Sequence, residues 1–163
     1  MLFRSPALRA LLTGFEAGEA MAAVHVGSWD ALGADAARLR QAVFVQELGI
    51  PAEQEADAQD ARAIHAVLRN HLGMPVATGR LLQDAPGVGR IGRLAVDGKL
   101  RGAGWGRMVL DALLEAARAR GDRQVALDAE ASAQGFYQRA GFVVRGELFV
   151  EAGLHHVSME CVL

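Results

Sequence analysis

The sequence predicts a mixed α/β (α+β) fold, a mostly antiparallel sheet flanked by helices, and three observations carry that prediction. Short runs at 22–26, 63–69, 76–82, 90–96, 124–130, 142–150 and 155–163 have the length and apolar pattern of strands. Two intervening segments, one opening near Asp30 or Gly33 and one following 97–100, carry apolar residues at helical spacing. The resulting order, β-α-β-β-β-α-β-α-β-β, interleaves helices with strands and so places helices on the faces of one sheet.

Each element has a local reason. After the strand at 22–26, a helix is marked by Leu32, Ala36, Leu39, Val43 and Phe44, and Gly49 and Pro51 end it. An acidic stretch with Glu53, Glu55, Asp57 and Asp60 precedes two strands that a turn around Gly73 joins into an antiparallel hairpin. Pro86 and Gly87 turn the chain into the strand 90–96, where Ile91, Arg93 and Ala95 alternate with Gly92, Leu94 and Val96. The next helix has Trp105, Met108, Val109, Ala112, Leu113 and Ala116 on one stripe, with Arg107, Asp111, Glu115 and Arg118 opposite, and Gly121 stops it. A strand at 124–130 follows, and Ser132 is placed to cap a shorter helix through Phe136 and Tyr137 to Gly141. Two closing strands, 142–150 and 155–163, complete the chain.

The bulk properties narrow the function classes. A chain of 163 residues suits one domain, taken as 21–163 behind an N-terminal extension at 1–20. With 52% hydrophobic and 22% charged residues it has the composition of a packed globule rather than a disordered segment. A net charge of −2 offers no bulk attraction to nucleic acid or to an anionic membrane, so neither is an expected partner. Cys161 stands alone, which excludes an intrachain disulfide and a multi-cysteine metal site and fits a reducing cytoplasm. Arg4 and Arg9 flank an apolar stretch that resembles a signal peptide, but Glu16 and Glu19 interrupt it, and no run has the length of a bilayer span.

The segment with the most chemistry is Arg101-Gly102-Ala103-Gly104-Trp105-Gly106, lying between a strand and the start of the best helix. Helix starts present unpaired amides and the positive end of the helix dipole, which together suit an anion such as phosphate. Glycine lets the backbone approach the oxygens, and Arg101 and Arg107 add charge. The plainer alternative is that these glycines only make a tight turn. Two other phosphate loops fail: no G-x-x-x-x-G-K-[ST] is present, and the G-x-G-x-x-G at Gly87, Gly89 and Gly92 enters a strand instead of opening a helix.

Taken together, Ile91-Gly92-Arg93-Leu94-Ala95-Val96, Arg101-x-x-Gly104-x-Gly106, the long helix and Ala133-x-x-Phe136-Tyr137-x-x-x-Gly141-Phe142 resemble the GNAT N-acetyltransferase superfamily. Phe44-Val45-x-Glu47 and Glu151-x-Gly153-x-x-His156-x-x-Met159 resemble its small bacterial ElaA-like or YjcF-like subgroup. The resemblance implies an acyl-CoA-dependent N-acyltransferase that uses acetyl-CoA as co-substrate and an amine as acceptor, with homodimers common among similar proteins. It implies that Leu94, Ala95 and Val96 pair with the pantetheine arm as an added strand, and that the amides of Arg101, Gly102, Ala103, Gly104, Trp105, Gly106 and Arg107 hold the pyrophosphate. Phe136 belongs with this cofactor set, and Tyr137 matches a tyrosine that protonates the leaving thiolate.

The base is less marked. Where some relatives carry a glutamate on the central strand, this chain has Arg90; Asp128 and Glu130 share a face one strand away, and either could look into the cleft. His65 is a further candidate because imidazole titrates near neutral pH, against the plainer alternative of a hydrogen-bonded core histidine. His156, on the last strand, is another; His155 and His156 point to opposite faces and make a poor metal pair, so no metal is expected. The acidic stretch suits either a cationic acceptor or solvent, while Arg80 and Arg93 need partners, either Asp128 or Glu130 or a substrate carboxylate. Lack of an obvious base keeps open a second function, a non-catalytic acyl-CoA sensor or interaction module of the same fold.

Overall fold

The computed structural model of the chain describes residues 22–98 and 102–163; the extension at 1–20 and Arg101 lie outside them. Strands β1 (Ala23–Gly27), β2 (Ile64–Arg69), β3 (Pro75–Ala85) and β4 (Val88–Val96) form an antiparallel meander. Strand β5 (Gln124–Glu130) joins β4 in parallel, and β8 (Leu154–Val162) pairs antiparallel with β5. The short strands β6 (Val143–Val144) and β7 (Phe149–Glu151) both pair with β8, giving one mixed sheet in the order β1-β2-β3-β4-β5-β8-β6.

Helices α1 (Trp29–Arg40) and α3 (Trp105–Arg120) cover opposite faces of this sheet. The reason is visible in β2, where Ala66, Val67 and Leu68 are all fully buried. Successive strand residues point to opposite faces, so Val67 packs with Leu32 and Ala36 of α1 while Ala66 and Leu68 join Val109, Leu110 and Leu113 of α3 in the main core. Gly79 sets how closely α3 approaches β3. A Cβ there would lie 2.9 Å from Leu113 Cδ1, 3.0 Å from Leu94 Cδ1 and 3.2 Å from Val109 Cγ1.

Several boundaries differ from the sequence prediction. Ser28, not Asp30 or Gly33, opens α1, because its hydroxyl accepts a hydrogen bond from Ala31 N at 3.3 Å. That helix continues as a π-helical segment, Gln41–Glu47, before α2 (Ala52–Glu55) and a 3₁₀ turn, Ala58–Arg62. Ser132 lies within a second 3₁₀ turn, Ala131–Ala133, and makes no cap to α4 (Gln134–Arg139). The strand expected at 142–150 divides into β6 and β7 around Gly146, whose φ of 104° breaks the extended run.

The acidic stretch is exposed at Glu53 and Asp57, half-buried at Glu55 and buried at Asp60, and it pairs with arginines of α1, β3 and β4. Asp60 accepts hydrogen bonds from Arg40 Nη1 and Nη2, each at 2.9 Å, and from Arg80 Nη1 at 2.9 Å. Arg80 also grips Asp57 in a two-pronged pair at 2.8 and 2.9 Å, and Glu55 takes Arg40 Nε. Arg80 and Arg93 therefore pair with the stretch 55–60, not with Asp128 or Glu130, one of the two partners expected for them. Asp128 instead accepts from Ser158 Oγ at 2.9 Å and lies 3.5 Å from Arg90 Nη1.

Candidate active site

The functional cleft begins where β4 and β5 part. They pair only across Val88–Arg90 and Gln124–Ala126; beyond Arg90, β4 stays with β3 and β5 stays with β8. A bulge marks the departure, since Arg80 faces Gly92 and Thr78 faces Ala95, leaving Gly79 opposite both Arg93 and Leu94. Arg93 takes a φ of 54°, a left-handed conformation rare for a side chain of its kind. Its guanidinium secures that geometry: Nε and Nη2 donate to the Glu55 carbonyl at 3.1 and 2.9 Å, and Nη2 reaches Asp57 Oδ2 at 3.2 Å.

Two cavities meet in the gap. The first, about 670 Å³, runs along Leu94, Ala95 and Val96 to Gly102, Gly104, Trp105, Gly106 and Arg107, with Phe136 and Arg139 on its α4 side. The second, about 690 Å³, opens on the other side among Glu55, Asp57, Arg90, Arg93, Asp128, Glu151 and His156. Phe44, Leu48, Leu94, Glu130, Ala133 and Tyr137 line both, so these residues form the junction.

The start of α3 forms one end of the first cavity. Gly104 precedes the helix with a φ of 83°, and the first intrahelical hydrogen bond runs from Met108 N to Gly104 O at 3.2 Å. Helix geometry gives the amides before Met108 no partner four residues back within α3. Gly106 lets this end sit close to the β4 tip, since a Cβ there would lie 3.2 Å from Val96 Cγ2 and 3.6 Å from Phe136 Cζ. Arg107 extends along the helix to Asp111 Oδ1 at 2.9 Å, and Ala103 is exposed outside the cavity lining.

Tyr137 stands at the junction on α4, held edge-on between Phe136, with ring centroids 5.0 Å apart, and Phe142, at 5.9 Å. Burial, reinforced by the negative charge of Glu130, pushes its phenol up to about 12. The group therefore carries its proton throughout the neutral range.

His65 is placed away from this junction. It is fully buried, lies against Trp29 at 4.8 Å between centroids, and lines neither cavity. Its Nε2 donates to the Asp60 carbonyl at 2.9 Å, and desolvation, the largest influence, lowers its pKa. In the sequence Phe44 is marked as a helical apolar position and as part of the Phe44-Val45-x-Glu47 pattern, with no role at the cleft, and Leu48 is not marked at all. The π-helical turn that swings both into the junction has no period in the sequence to announce it.

A central sheet that opens into a cleft, with a glycine-started helix at one end and a tyrosine at its middle, defines an acyltransferase-type fold. Residues 39–163 match the family profile of the acetyltransferase (GNAT) domain, and the chain belongs to that family. Within it the chain falls in the ElaA/YjcF-like small bacterial subgroup. It is 35% identical to Bacillus subtilis YjcF, described as an uncharacterized N-acetyltransferase, over 127 residues that cover 77% of this chain and 89% of that one. The crystal structure of Escherichia coli ElaA superposes with a TM-score of 0.77 at 29% identity, covering 86% of this chain and 99% of ElaA. An acyl-CoA N-acyltransferase from Pseudomonas aeruginosa gives a TM-score of 0.77 at 30% identity over 86% of this chain and 99% of that one.

Proposed function

We propose that the protein transfers an acyl group, acetyl in the first instance, from acyl-CoA to a primary amine by direct attack on the thioester. The observation that carries this reading is the channel through the sheet: one cavity leads from the start of α3 to Tyr137, and a second leads away from Tyr137 on the other side. A thioester at the junction is then reachable by a donor from one end and an acceptor from the other, which is the proximity an acyl transfer requires.

The residues divide the work. Amides of Gly102 to Arg107 take the pyrophosphate, with Arg101 adding charge, and β4 at Leu94 to Val96, past the point where β4 and β5 part, pairs with the pantetheine arm. Phe136 packs beside that arm. As the amine attacks and the C–S bond breaks, Tyr137 donates its proton to the departing thiolate. Glu130 has its carboxylate at the junction, where it draws in the protonated form of the amine.

Incubation of the protein with acetyl-CoA and a panel of primary amines, followed by a thiol reagent, tests this. Amine-dependent release of free CoA is expected. Absence of release across the panel, together with absence of CoA binding by calorimetry, refutes it; binding without release favours the non-catalytic sensor.

A further inference from the structure

We infer that His156 is the general base of this acyl transfer, an inference that rests on the N-acyltransferase reading of the site. His156 lies on β8 and lines the second cavity, the side from which the acceptor approaches. Its ring is fixed by two contacts. Phe149, directly opposite on β7, stacks on it with centroids 5.8 Å apart at 25°, and Nδ1 lies 2.9 Å from the Leu154 carbonyl.

That second contact determines the tautomer. A carbonyl oxygen only accepts, so Nδ1 carries the hydrogen, and the neutral ring presents the lone pair at Nε2. On its other side His156 faces Glu130 across the β5–β8 ladder. Side chains at opposed positions on this face do meet, since Ser158 Oγ donates to Asp128 Oδ1 at 2.9 Å two residues along the same strands. Glu130 reaches the junction with Tyr137, so the row Phe149, His156, Glu130 runs from a packed ring to the reacting centre.

The proton balance closes with these groups. A proton of the alkylammonium passes to His156 Nε2 and the neutral nitrogen then bonds to the thioester carbon; the nitrogen loses its second proton to solvent, the C–S bond breaks, and the Tyr137 phenol supplies the thiolate with a proton. The two residues exchange protons with solvent to reset. His65, whose Nε2 donates to the Asp60 carbonyl and whose Nδ1 is buried without a partner, lines neither of the two cavities and is not the base. The other titratable and charged groups that line this cavity are Asp128 and Glu130 on β5, Glu151 on β7, Arg90 and Arg93 on β4, Arg80 on β3, Glu55 on α2, Asp57 just after it, and Tyr137 on α4.

The test compares wild type with His156→Gln on two kinds of acceptor, an alkylamine and hydroxylamine, with acetyl-CoA as donor. Alkylamines are protonated near neutral pH and need a base, whereas hydroxylamine is largely neutral there. The expected result is a loss of about 100-fold in kcat/KM for the alkylamine. Hydroxylamine should lose much less, and acetyl-CoA affinity should be retained. Equal losses on both acceptors, or alkylamine activity within a few-fold of wild type, overturn the assignment. Heteronuclear imidazole NMR of the wild-type protein provides a second arm that needs no variant: hydrogen at Nδ1 supports it and hydrogen at Nε2 of the neutral ring contradicts it. Wild type that binds acetyl-CoA but turns over no amine contradicts the N-acyltransferase reading itself, and this assignment falls with it.

Discussion

At the scale of the single residue, Tyr137 is the group whose removal is easiest to interpret. Phenylalanine keeps its packing between Phe136 and Phe142 and deletes only the hydroxyl, so Tyr137→Phe should lower kcat by about 100-fold with acetyl-CoA affinity unchanged. Steady-state kinetics with calorimetry measures both. Because burial raises the phenol to about 12, ionisation of Tyr137 should impose no alkaline fall in rate between neutrality and pH 10. Tyr137 was legible in the sequence because it sits in a spaced motif with Phe136, Gly141 and Phe142. The partners of Arg80 and Arg93 were not. Their choice depends on residues 55–60 coming against β3 and β4, a contact between segments that neither hydrophobic period nor charge order expresses.

At the scale of the element, the cleft depends on positions where side chains are missing. Gly79 faces a gap filled by Leu94, Val109 and Leu113, so Gly79→Ala overpacks the seam between α3 and the sheet. A loss of about 1–3 kcal/mol is expected from denaturant unfolding, because a well-packed core accepts an added methyl poorly. Gly104→Ala acts differently. With a φ of 83° it introduces backbone strain of roughly 1–2 kcal/mol at the start of α3 and should weaken CoA binding, while nothing lies within 4 Å of the added Cβ. The sequence announced these elements well where a single pattern ran unbroken, as in β3 and α3. It failed at the π-helical turn and at the division of β6 from β7, where the chain departs from both standard periods for a few residues.

At the scale of the whole molecule, the buried ion network ties α1, β3 and the segment 55–60 into the wall of the second cavity. Asp60 serves both Arg40 and Arg80, and removing its charge leaves two buried guanidiniums short of a counter-ion. Asp60→Asn should therefore cost about 3–5 kcal/mol by urea denaturation.

The network also sets the acid response. The fold lowers the pKa of His65, chiefly by desolvation, so its contribution to stability is complete above the ordinary value of 6.5 and is lost as pH falls through the lowered value. Asp57, drawn down to about 2 chiefly by its hydrogen bonds from Arg80, contributes above 3.8 and loses that contribution between 3.8 and about 2. Thermal unfolding should show stability declining in those two windows on acidification, and His65→Gln should make the first decline shallower.

The position that CoA takes in the cleft decides the roles of Gly102 to Arg107, Leu94 to Val96 and Tyr137 together. A crystal structure of the protein with acetyl-CoA tests this directly. It should show the pyrophosphate on the amides of Gly102 to Arg107, the pantetheine arm along Leu94 to Val96, and the thioester sulfur within hydrogen-bonding reach of the Tyr137 hydroxyl. Density for the pyrophosphate away from the start of α3, or a thioester remote from Tyr137, would contradict the assignment of this cleft.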